Sequence, residues 1–491
     1  MRACRRTGLF LAAALAVPAL ASPPDPSDPV LLPGALSDPR RPPAAELTTS
    51  VSDGFTLALV GDLIPSRPLL TARPVPGFDK VVALLRGADV TYGNMETSLI
   101  DIRHFNGHPY SYEGDWTNIA PPAVAADLAG LGFDMVGIAN NHATDWGLEG
   151  MRETARHLDA AGIIHAGTGE NRGQARAARY LDTAKGRIAL ISFATTFRPT
   201  SDAMPARGEA PGRPGLNALH LRHTVRVPEP AMRALTQADC VLSGTGCDGK
   251  LPHMLSLSGT NYALGPRAMH DYLPDAEDVA EIHRSIRQAR QHADLVLVAL
   301  HAHECDWACG DVVNPQLPAA FLKDLARGAV DAGADVFAVT GIHNLGPLEV
   351  YRDRPIFYGL GNFIWGDIQE PLPYELFQGN RDLLAATYRD PSKATDYDLT
   401  APLNAGSFAN EHTFQSVIAE VRFGVGKLVS ITLHPVALGY GDRLEESGMP
   451  RLATDKVQAG AILDRIARAT TDYGLAPLRL TRQGGAGIIK P

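Results

Sequence analysis

The chain has no excess of positive charge. Its 491 residues include 45 lysines and arginines against 54 aspartates and glutamates, which gives a formal net charge of −9 at pH 7. Proteins that bind nucleic acid carry a basic surface, and this composition does not predict one. An acidic chain also repels an anionic polymer unless a local basic patch or a bound metal ion compensates. We therefore expect no nucleic-acid partner.

Long apolar segments are lacking as well. The best candidate is the run Leu9–Leu20, which is too short to span a bilayer as a helix. It follows three arginines and ends at Ala19-Leu20-Ala21, a pattern typical of a secretory signal peptide. The sequence thus predicts a signal peptide over residues 1–21, a secreted or periplasmic protein, and no transmembrane segment after cleavage. An uncleaved anchor is the alternative.

Residues 22–50 are rich in Pro, Ala and Ser and show no apolar periodicity, so we interpret them as a flexible leader. Loss of the signal peptide removes three arginines and shifts the formal charge from −9 to about −12.

Cysteine is scarce. Only five are present, and one of these, Cys4, lies within the predicted signal peptide. Export makes disulfides plausible for the remaining four, and pairing between near neighbours, Cys240 with Cys247 and Cys305 with Cys309, is favoured over the two other connectivities. A zinc site formed by Cys305, Cys309 and His303 is a further alternative, which an oxidising compartment disfavours.

Predicted strands and helices alternate from Thr56 to about Phe193, which is typical of βαβ units and an α/β fold. Hairpins follow later in the chain, and this mixture fits two packed mixed sheets flanked by helices. Periodicity disappears over residues 195–272 and 366–412, which we interpret as irregular insertions. We expect one large domain over 51–440, followed by a C-terminal helix and tail over 441–491.

The most informative segment follows the apolar run Phe133–Ala139. Asn140, Asn141, His142 and Asp145 come directly after this predicted strand. Open α/β sheets bind ligands at the carboxyl ends of their strands. Polar residues also follow four other predicted strands, and the candidates there are Asp62, Glu96, His301 with His303 and Glu304, and His343. Because five strands end in this way, the sequence predicts one shared site.

The residue types at these strand ends suit a metal site. Carboxylate and amide oxygens and imidazole nitrogens bind divalent metal ions, and a neighbouring carboxylate can orient an imidazole. Two ions about 3.5–4 Å apart can activate water and stabilise the charge that develops in phosphoester hydrolysis. The alternatives for single residues are a helix cap at Asp62, a surface carboxylate at Glu96, and ordinary core histidines at His301 and His343.

Five sequence blocks carry a resemblance to a known family. They are Gly-Asp at 61–62, GNMETSL at 93–99, ANNHATDWG at 139–147, LHAHE at 300–304 and GIHNLGPLEVYRDRPIFYGLGNF at 341–363. In these blocks and their order the chain resembles the poly-γ-glutamate capsule-biosynthesis proteins of the CapA type, a branch of the calcineurin-like metallophosphoesterase superfamily. The resemblance implies a four-layer αββα sandwich of two mixed sheets.

The resemblance also implies a ligand set for one or two divalent metal ions, with Mn, Fe, Zn and Mg all left open. One ion would be held by Asp62 and His343, the other by Asn141 and His301, and Glu96 would bridge them.

Catalytic roles are implied for two further residues. His142 would protonate the leaving oxygen, and Asp145 would orient the His142 ring.

Two ligands of the superfamily pattern are missing from this chain. Ile64 and Gly341 stand where the superfamily carries histidine. His303 or Glu304 is a candidate to compensate, and Asn140 is a further candidate that we expect to be structural rather than ligating.

Two functions follow from these patterns. The first is an exported metal-dependent hydrolase or transferase in the biosynthesis of capsule, poly-γ-glutamate or a related envelope polymer, with an anionic polymer or phosphoester as substrate and envelope biosynthesis proteins as partners. The second is a non-catalytic polymer assembly or binding protein whose metal site has decayed. Ile64 and Gly341 favour the second, and the complete Asn141-His142-Asp145 block favours the first.

Overall fold

The computed structural model describes residues 49–70, 75–110, 116–245, 247, 249–305, 317–366, 371–387, 390–443 and 446–491. The predicted signal peptide and nearly all of the predicted leader lie outside these ranges. None of the helices formed by the described residues has the length and apolar composition that a bilayer-spanning segment requires.

The helices are distributed along the whole described chain. They are α1 (Phe78–Gly87), α2 (Ala123–Leu131), α3 (Gly147–Ala160), α4 (Arg172–Arg176), α5 (Glu229–Ser243), α6 (Ala276–His292), α7 (Phe321–Asp331), α8 (Tyr374–Gly379), α9 (Arg381–Thr387), α10 (Asp396–Phe408) and α11 (Lys456–Asp472), with 3₁₀ turns at Pro391–Lys393 and Glu411–Phe414.

The strands alternate with these helices in the first half of the chain and form hairpins in the second. They are β1 (Phe55–Ile64), β2 (Val90–Met95), β3 (Ser98–Leu99), β4 (Ile119–Ala120), β5 (Met135–Gly137), β6 (Ile164–Ala166), β7 (Thr168–Gly169), β8 (Arg179–Thr183), β9 (Gly186–Ala194), β10 (Gly215–Leu216), β11 (Leu221–Val227), β12 (Met254–Leu257), β13 (Thr260–Leu264), β14 (Met269–Pro274), β15 (Leu295–Ala302), β16 (Val336–Gly341), β17 (Leu348–Tyr351), β18 (Arg354–Phe357), β19 (Asn362–Trp365), β20 (Gln415–Gly424), β21 (Lys427–Ala437), β22 (Arg451–Leu452), β23 (Leu480–Gln483) and β24 (Ala486–Ile489).

Two large mixed sheets dominate the fold. The first has the order β23-β24-β21-β20-β1-β2-β5-β6, with β19 beside β1 and β22 beside β21. The second has the order β17-β18-β16-β15-β9-β8. β1, β2, β5 and β6 run parallel, as do β9, β15, β16 and β18, whereas the hairpin strands run antiparallel.

The sheets pack face to face over one apolar core. Leu57 and Leu59 of β1 and Val421 of β20 meet Leu190 of β9 and Leu297 of β15 in a single buried cluster. Successive strand residues point to opposite faces, so the intervening residues of these strands must be buried by a second layer.

Helices supply that second layer on both outer faces. Val60 of β1 packs with Leu85 of α1 and Leu128 of α2, and Val298 of β15 packs with Ile286 of α6. The expected four-layer αββα sandwich of two mixed sheets is confirmed.

The region 195–272 is irregular only up to residue 214, so the expectation was wrong for residues 215–272. It contains α5 and a small sheet of order β12-β13-β11-β14, held by an apolar cluster around Val227, Met232 and Leu255. The sequence pattern hid these strands because they are short and incompletely buried. In β13, for example, no residue is fully buried, so apolar and polar positions do not alternate.

The region 366–412 was likewise expected to be irregular, yet its described residues form α8, α9 and α10 around Leu376, Leu384 and Leu399. These helices are short, and α10 contains Pro402 and does not gather its apolar residues on one face. Helical periodicity was therefore absent from the sequence.

The C-terminal region contains the helix α11, but the residues after it are not a tail. β23 and β24 make a hairpin whose second strand pairs with β21, from Ile431 with Ile489 to Leu433 with Gly487. The C-terminal residues therefore complete the edge of the first sheet.

The Cys240–Cys247 disulfide is present as expected. Cys305 is also disulfide-bonded, while its expected partner Cys309 lies outside the described residues.

Candidate metal centre

The candidate site lies where the carboxyl ends of parallel strands from both large sheets meet. Asp62 lies near the end of β1, and Asn141 follows β5. From the second sheet, His301 is the penultimate residue of β15, and His343 follows β16. The structure thus brings together side chains from both halves of the chain, as the pattern of polar strand ends predicts.

A close approach of two chain segments places Asp62. A Cβ atom on Gly61 would lie 1.8 Å from the carbonyl oxygen of Gly361, so only glycine fits here. The Asp62 N–H donates to that same carbonyl at 2.9 Å. The contact between β1 and the turn that precedes β19 therefore explains Gly61, whereas Gly361 has a positive φ of +68° that favours glycine in its own right.

Both carboxylate oxygens of buried Asp62 are engaged. Oδ1 accepts from Asn94 Nδ2 at 2.9 Å, and Oδ2 accepts from the Gly341 N–H at 3.2 Å. The rings of His301 and His343 approach the same two oxygens at 3.8 and 3.3 Å. Burial alone raises the pKa of the Asp62 carboxyl, but the hydrogen bond from His343 and the charge of His301 outweigh it and lower the pKa.

His343 is held in an unusual backbone conformation. Its φ is +52°, a left-handed value that is uncommon for a residue with a side chain and is often found at functional sites. Nδ1 donates to Asn362 Oδ1 at 2.8 Å, which leaves Nε2 with the lone pair that a metal ion requires. Asn362 is fixed in turn because its Nδ2 donates to the Thr413 carbonyl at 3.1 Å.

Gly341 cannot be replaced by a ligand residue without rearrangement. Its φ is +111°, and a Cβ atom would lie 2.6 Å from the carbonyl oxygen of Ala302 on the neighbouring strand. The backbone here contributes its N–H to Asp62 instead. The missing histidine of the superfamily pattern therefore has a structural reason in this chain.

Several potential ligand atoms converge on His301 Nε2. Asn141 Oδ1 lies at 2.8 Å, His303 Nε2 at 3.0 Å and Glu96 Oε1 at 3.4 Å. On the other side of the ring, Nδ1 lies 3.2 Å from Thr340 Oγ1. Burial lowers the pKa of His301 to about 3, so the ring is neutral at physiological pH, which is the form that binds metals.

Glu96 gives the clearest sign that a cation fits this site. Its carboxylate is fully buried, and neither oxygen has a hydrogen-bond partner among the described residues. Burial raises the pKa of Glu96 well above its ordinary value, and the nearby carboxylates of Asp62 and Asp145 raise it further. Buried carboxylates are normally hydrogen-bonded, paired or bound to metal, so the residues present fit a divalent ion.

Two overlapping groups have ligand atoms that lie within 4.8 Å of one another. They are Asp62, Glu96 and His301, and Glu96, His303 and His343. Glu96 belongs to both groups, which is the position that a bridging ligand requires. His303 supplies an imidazole on the side where Gly341 has none.

His142 belongs to a second chain of contacts beside these groups. Its Nδ1 lies 2.7 Å from Asp145 Oδ2, and its Nε2 lies 3.9 Å from Glu96 Oε1. Asp145 is fully buried and also accepts the Asn118 N–H at 2.6 Å. Arg198 Nη2 lies 3.0 Å from the remaining oxygen, Oδ1. The His142 ring therefore contacts a buried carboxylate that a buried guanidinium approaches from its other side.

Two candidate residues lie apart from the ligand groups. Glu304 turns away, and its carboxylate accepts from Thr195 at 2.5 Å and Thr196 at 3.0 Å. Asn140 Nδ2 donates to the Met95 carbonyl at 2.8 Å, and its Oδ1 accepts the His142 N–H. Asn140 thus shapes the turn that carries Asn141 and His142.

Sequence reasoning did not single out Asn94, Arg198 or Asn362 as site residues. Asn94 and Asn362 lie in the sequence blocks that define the site: Asn94 two residues before Glu96, and Asn362 directly after Gly361. Their positions in these blocks were the sequence signal that could have identified them. Arg198 lies at the start of the region without periodicity, where no sequence pattern marks it.

Hydrogen bonds from the C-terminal helix support the turn that carries His343. Buried Arg465 of α11 donates through Nη2 to Asn344 Oδ1 at 2.8 Å and through Nη1 to Gln415 Oε1 at 3.2 Å. Asn344 Nδ2 donates to the Ile342 carbonyl at 3.1 Å. The turn that presents His343 is therefore tied to an element more than a hundred residues further along the chain.

Fold and site together define an αββα sandwich with a candidate metal centre of carboxylate, amide and imidazole groups at its strand ends. The chain belongs to the family of the bacterial capsule synthesis protein PGA_cap, whose sequence profile matches residues 56–367. The resemblance to CapA-type proteins is thereby confirmed.

Relatives span most of the chain. It is 42% identical over 453 residues to the uncharacterized protein y4sH of Sinorhizobium fredii, which covers 90% of this chain and 94% of that protein. It is 23% identical over 321 residues to the capsule biosynthesis protein CapA of Bacillus anthracis, covering 64% of this chain and 60% of that protein. Among solved structures, a hypothetical protein from Thermus thermophilus aligns with a TM-score of 0.33 and 14% identity, covering 78% of this chain and 98% of that one.

Proposed function

We propose that this chain is an exported, metal-dependent phosphoester hydrolase or transferase that acts in the biosynthesis of an envelope polymer such as a capsule. The observation that carries the proposal is the buried Glu96 carboxylate, which has no hydrogen-bond partner in the described chain and lies 3.4 Å from His301 and 4.0 Å from His303. Burying an unpaired carboxylate costs free energy, so a purely structural glutamate in this position would be unfavourable. A glutamate that binds a metal ion would not carry this cost.

The ligands of this centre are Asp62, Glu96, Asn141, His301 and His343, with His303 as an additional one. One or two divalent ions held there would provide charge stabilisation and activation of water. A first-row ion such as Mn, Fe or Zn suits the mixture of imidazole and carboxylate groups, and Mg suits the carboxylates alone.

His142 is the proton donor in this proposal. The Nδ1–H of the ring donates to Asp145 Oδ2, so the proton that His142 gives to the leaving oxygen is the second proton of the imidazolium form, carried on Nε2. In hydrolysis, the water oxygen bonds to phosphorus, the bond from phosphorus to the leaving oxygen breaks, and the His142 proton passes to that oxygen. A proton of the attacking water then restores His142, so that one ester and one water give one alcohol and one phosphate.

The names of the relatives support the biological setting of this proposal. The family and the CapA protein of Bacillus anthracis are both named for capsule synthesis. An exported enzyme would meet an anionic envelope polymer or its phosphoester precursor outside the cytoplasm, together with other envelope biosynthesis proteins. The signal pattern of residues 1–21 supports this location, and N-terminal sequencing of the exported protein should begin at or near Ser22.

A metal-content experiment tests the proposal. The purified protein is dialysed against Mn²⁺, Fe²⁺, Zn²⁺ or Mg²⁺ and its bound metal is measured by mass spectrometry, alongside hydrolysis of p-nitrophenyl phosphate and its diester. We expect one or two bound ions in the natural protein and a loss in Glu96→Gln. Glu229→Gln, on an exposed side chain of α5, is the matched control.

The second candidate function is a non-catalytic assembly or binding protein of the same envelope pathway. Gly341 favours it, because its backbone conformation excludes one histidine of the superfamily pattern. Absence of bound metal and of hydrolysis with every ion would overturn the enzyme proposal and leave this one.

A further inference from the structure

A cavity opens beside the proposed proton donor. It has a volume of about 340 Å³, within the range of about 300–1,000 Å³ that ligand pockets occupy. His142 and Asn141 form the side that faces the metal centre, and Trp116, Phe197 and Pro199 are among the residues that form the rest. The cavity is therefore continuous with the reacting groups.

The polar groups of this cavity are already engaged. The Arg198 guanidinium is buried: Nη1 donates to the Tyr110 carbonyl at 2.5 Å and Nη2 to the Trp116 carbonyl at 2.6 Å, and Nη2 also approaches Asp145. The Thr196 hydroxyl donates to Glu304 and accepts the N–H of His303. Among the described residues, the rest of the lining therefore presents aromatic and proline surface, and the guanidinium of Arg198 is neutralised.

The aromatic walls are supported from behind. The Phe197 ring packs edge-on against His220, with ring centres 5.4 Å apart and planes at 87°. Trp116 packs against the apolar cluster around Leu376 and Leu399. Both rings are therefore held before a ligand arrives, which limits the ordering cost of binding.

The chemistry of His142 identifies which part of a substrate enters this cavity. A general acid must lie within hydrogen-bond reach of the leaving oxygen, so the leaving group extends from His142 on the side away from the metal ligands. Resting on the proposed function, we propose that the cavity is the leaving-group subsite and that it selects a phosphoester of an uncharged alcohol with a flat apolar face. An anionic polymer chain does not fit as the leaving group, because the described residues of the cavity offer no unneutralised cation to receive it.

Paired substrates test this inference. The ratio of kcat/KM for benzyl phosphate to that for methyl phosphate is measured in the metal-loaded natural protein, because both leaving groups are simple alcohols and differ mainly in the ring. An apolar pocket discriminates by about 10–200-fold even for small apolar groups. We expect a ratio above about tenfold, and a fall of about tenfold in Phe197→Ala and Trp116→Ala.

Controls separate the subsite from general damage. Phe197→Leu keeps apolar volume without a flat face and should give an intermediate ratio. Tyr180→Ala removes an exposed aromatic ring of β8, away from the cavity, and should leave the ratio unchanged. Calorimetric titration with benzylphosphonate and methylphosphonate gives the same comparison without turnover.

The outcomes distinguish the two proposals. Hydrolysis of both esters with a ratio near one, or a ratio that Phe197→Ala and Trp116→Ala do not lower, overturns the leaving-group subsite and leaves the hydrolase intact. Equal or tighter binding of a phosphate ester of a polyanionic alcohol, such as glutamyl-linked phosphoserine, overturns the stated selectivity. Absence of metal, hydrolysis and phosphonate binding together overturns the proposed function, and this inference with it.

Discussion

Arg198 Nη2 lies 3.0 Å from Asp145 Oδ1, whereas His142 contacts the other oxygen of the same carboxylate. Asp145 is fully buried and therefore depends on this cation and on the Asn118 N–H for its charge to be tolerated. The proposed proton donor is thus oriented by a buried ion pair, one member of which comes from a part of the chain where no motif was visible.

Replacement of Arg198 should remove the cation that pairs with Asp145 and so disturb the orientation of His142. We expect Arg198→Ala to lower kcat by about 10–100-fold, as loss of a residue that orients a site group does, with bound metal unchanged. Removal of one partner of a buried ion pair should also lower the free energy of unfolding by about 3–5 kcal/mol. Urea unfolding measures the free energy of unfolding, and single-turnover kinetics measure the change in rate.

Arg187→Ala is the control for stability. It breaks an exposed ion pair with Asp182 and should lower the free energy of unfolding by less than about 1 kcal/mol. Unchanged kcat in Arg198→Ala would contradict the positioning role.

A ligand and a proton donor should respond differently to removal. We expect His301→Ala to lower the metal stoichiometry, because His301 Nε2 lies at the convergence of Asn141, His303 and Glu96. His142→Ala should keep its metal and lose about 10²–10⁴ in rate.

Mass spectrometry of bound metal and hydrolysis rates are read on the same samples. His104→Ala is the control, since its side chain is 82% exposed. If both site variants keep metal and activity, the assigned roles are wrong.

Restoring the histidine of the superfamily pattern should not restore a ligand. We expect Gly341→His to bind no additional metal and to unfold at a lower temperature than Gly341→Ala, which itself is destabilised, because any Cβ meets Ala302 and the φ of +111° is unfavourable for L-residues. Differential scanning calorimetry and metal counts provide the measurement. A Gly341→His protein of natural stability with an extra bound ion would show that the backbone does not enforce the glycine.

Acid should weaken the contact between α4 and α6. Asp278 is buried and accepts from Arg176 at 2.7 Å and from His220 at 2.6 Å. Burial alone would raise the pKa of Asp278, but these partners lower it from 3.8 to about 2. A carboxyl with a lowered pKa stabilises the fold above its unfolded value, and this contribution is lost as pH falls through the folded value.

Between pH 4 and 2 the natural protein should therefore lose stability on the order of 2 kcal/mol through this group. Asp278→Asn should be less stable at neutral pH and show a shallower decline over the same interval. Urea unfolding across the pH series tests this, and parallel declines in the two proteins would refute it.

The convergence of the candidate residues was largely predictable because each lies at or just after the end of an apolar run that forms a buried parallel strand. Asp62, His301 and His343 needed only the strand pattern and the rule that such ends share an edge. Asn94 was not predicted as a site residue because its sequence block contains two polar residues, Asn94 and Glu96, and the sequence does not indicate whether both point toward the site. Only the contacts between the sheets show that both do. Arg198 depends wholly on tertiary packing.

The two-sheet core was predictable for the same reason, since strands buried on both faces read as continuous apolar runs. The small sheet around β13 was not, because half-buried strands leave no alternation in the sequence. The helices around Leu399 were missed because Pro402 and scattered apolar residues conceal the helical period.

The position of β1 has a consequence for the timing of folding. Phe55 and its neighbours pair with β20, from Phe55 opposite Phe423 to Leu59 opposite Ala419, while Asp62 pairs with Asn362 of β19. The first strand of the domain therefore cannot pair fully until segments some three hundred residues later in the chain have been synthesised. Pairing between segments so far apart in sequence gives a high contact order, which slows folding. A nascent chain emerging from the ribosome therefore cannot complete the first sheet until synthesis is almost finished.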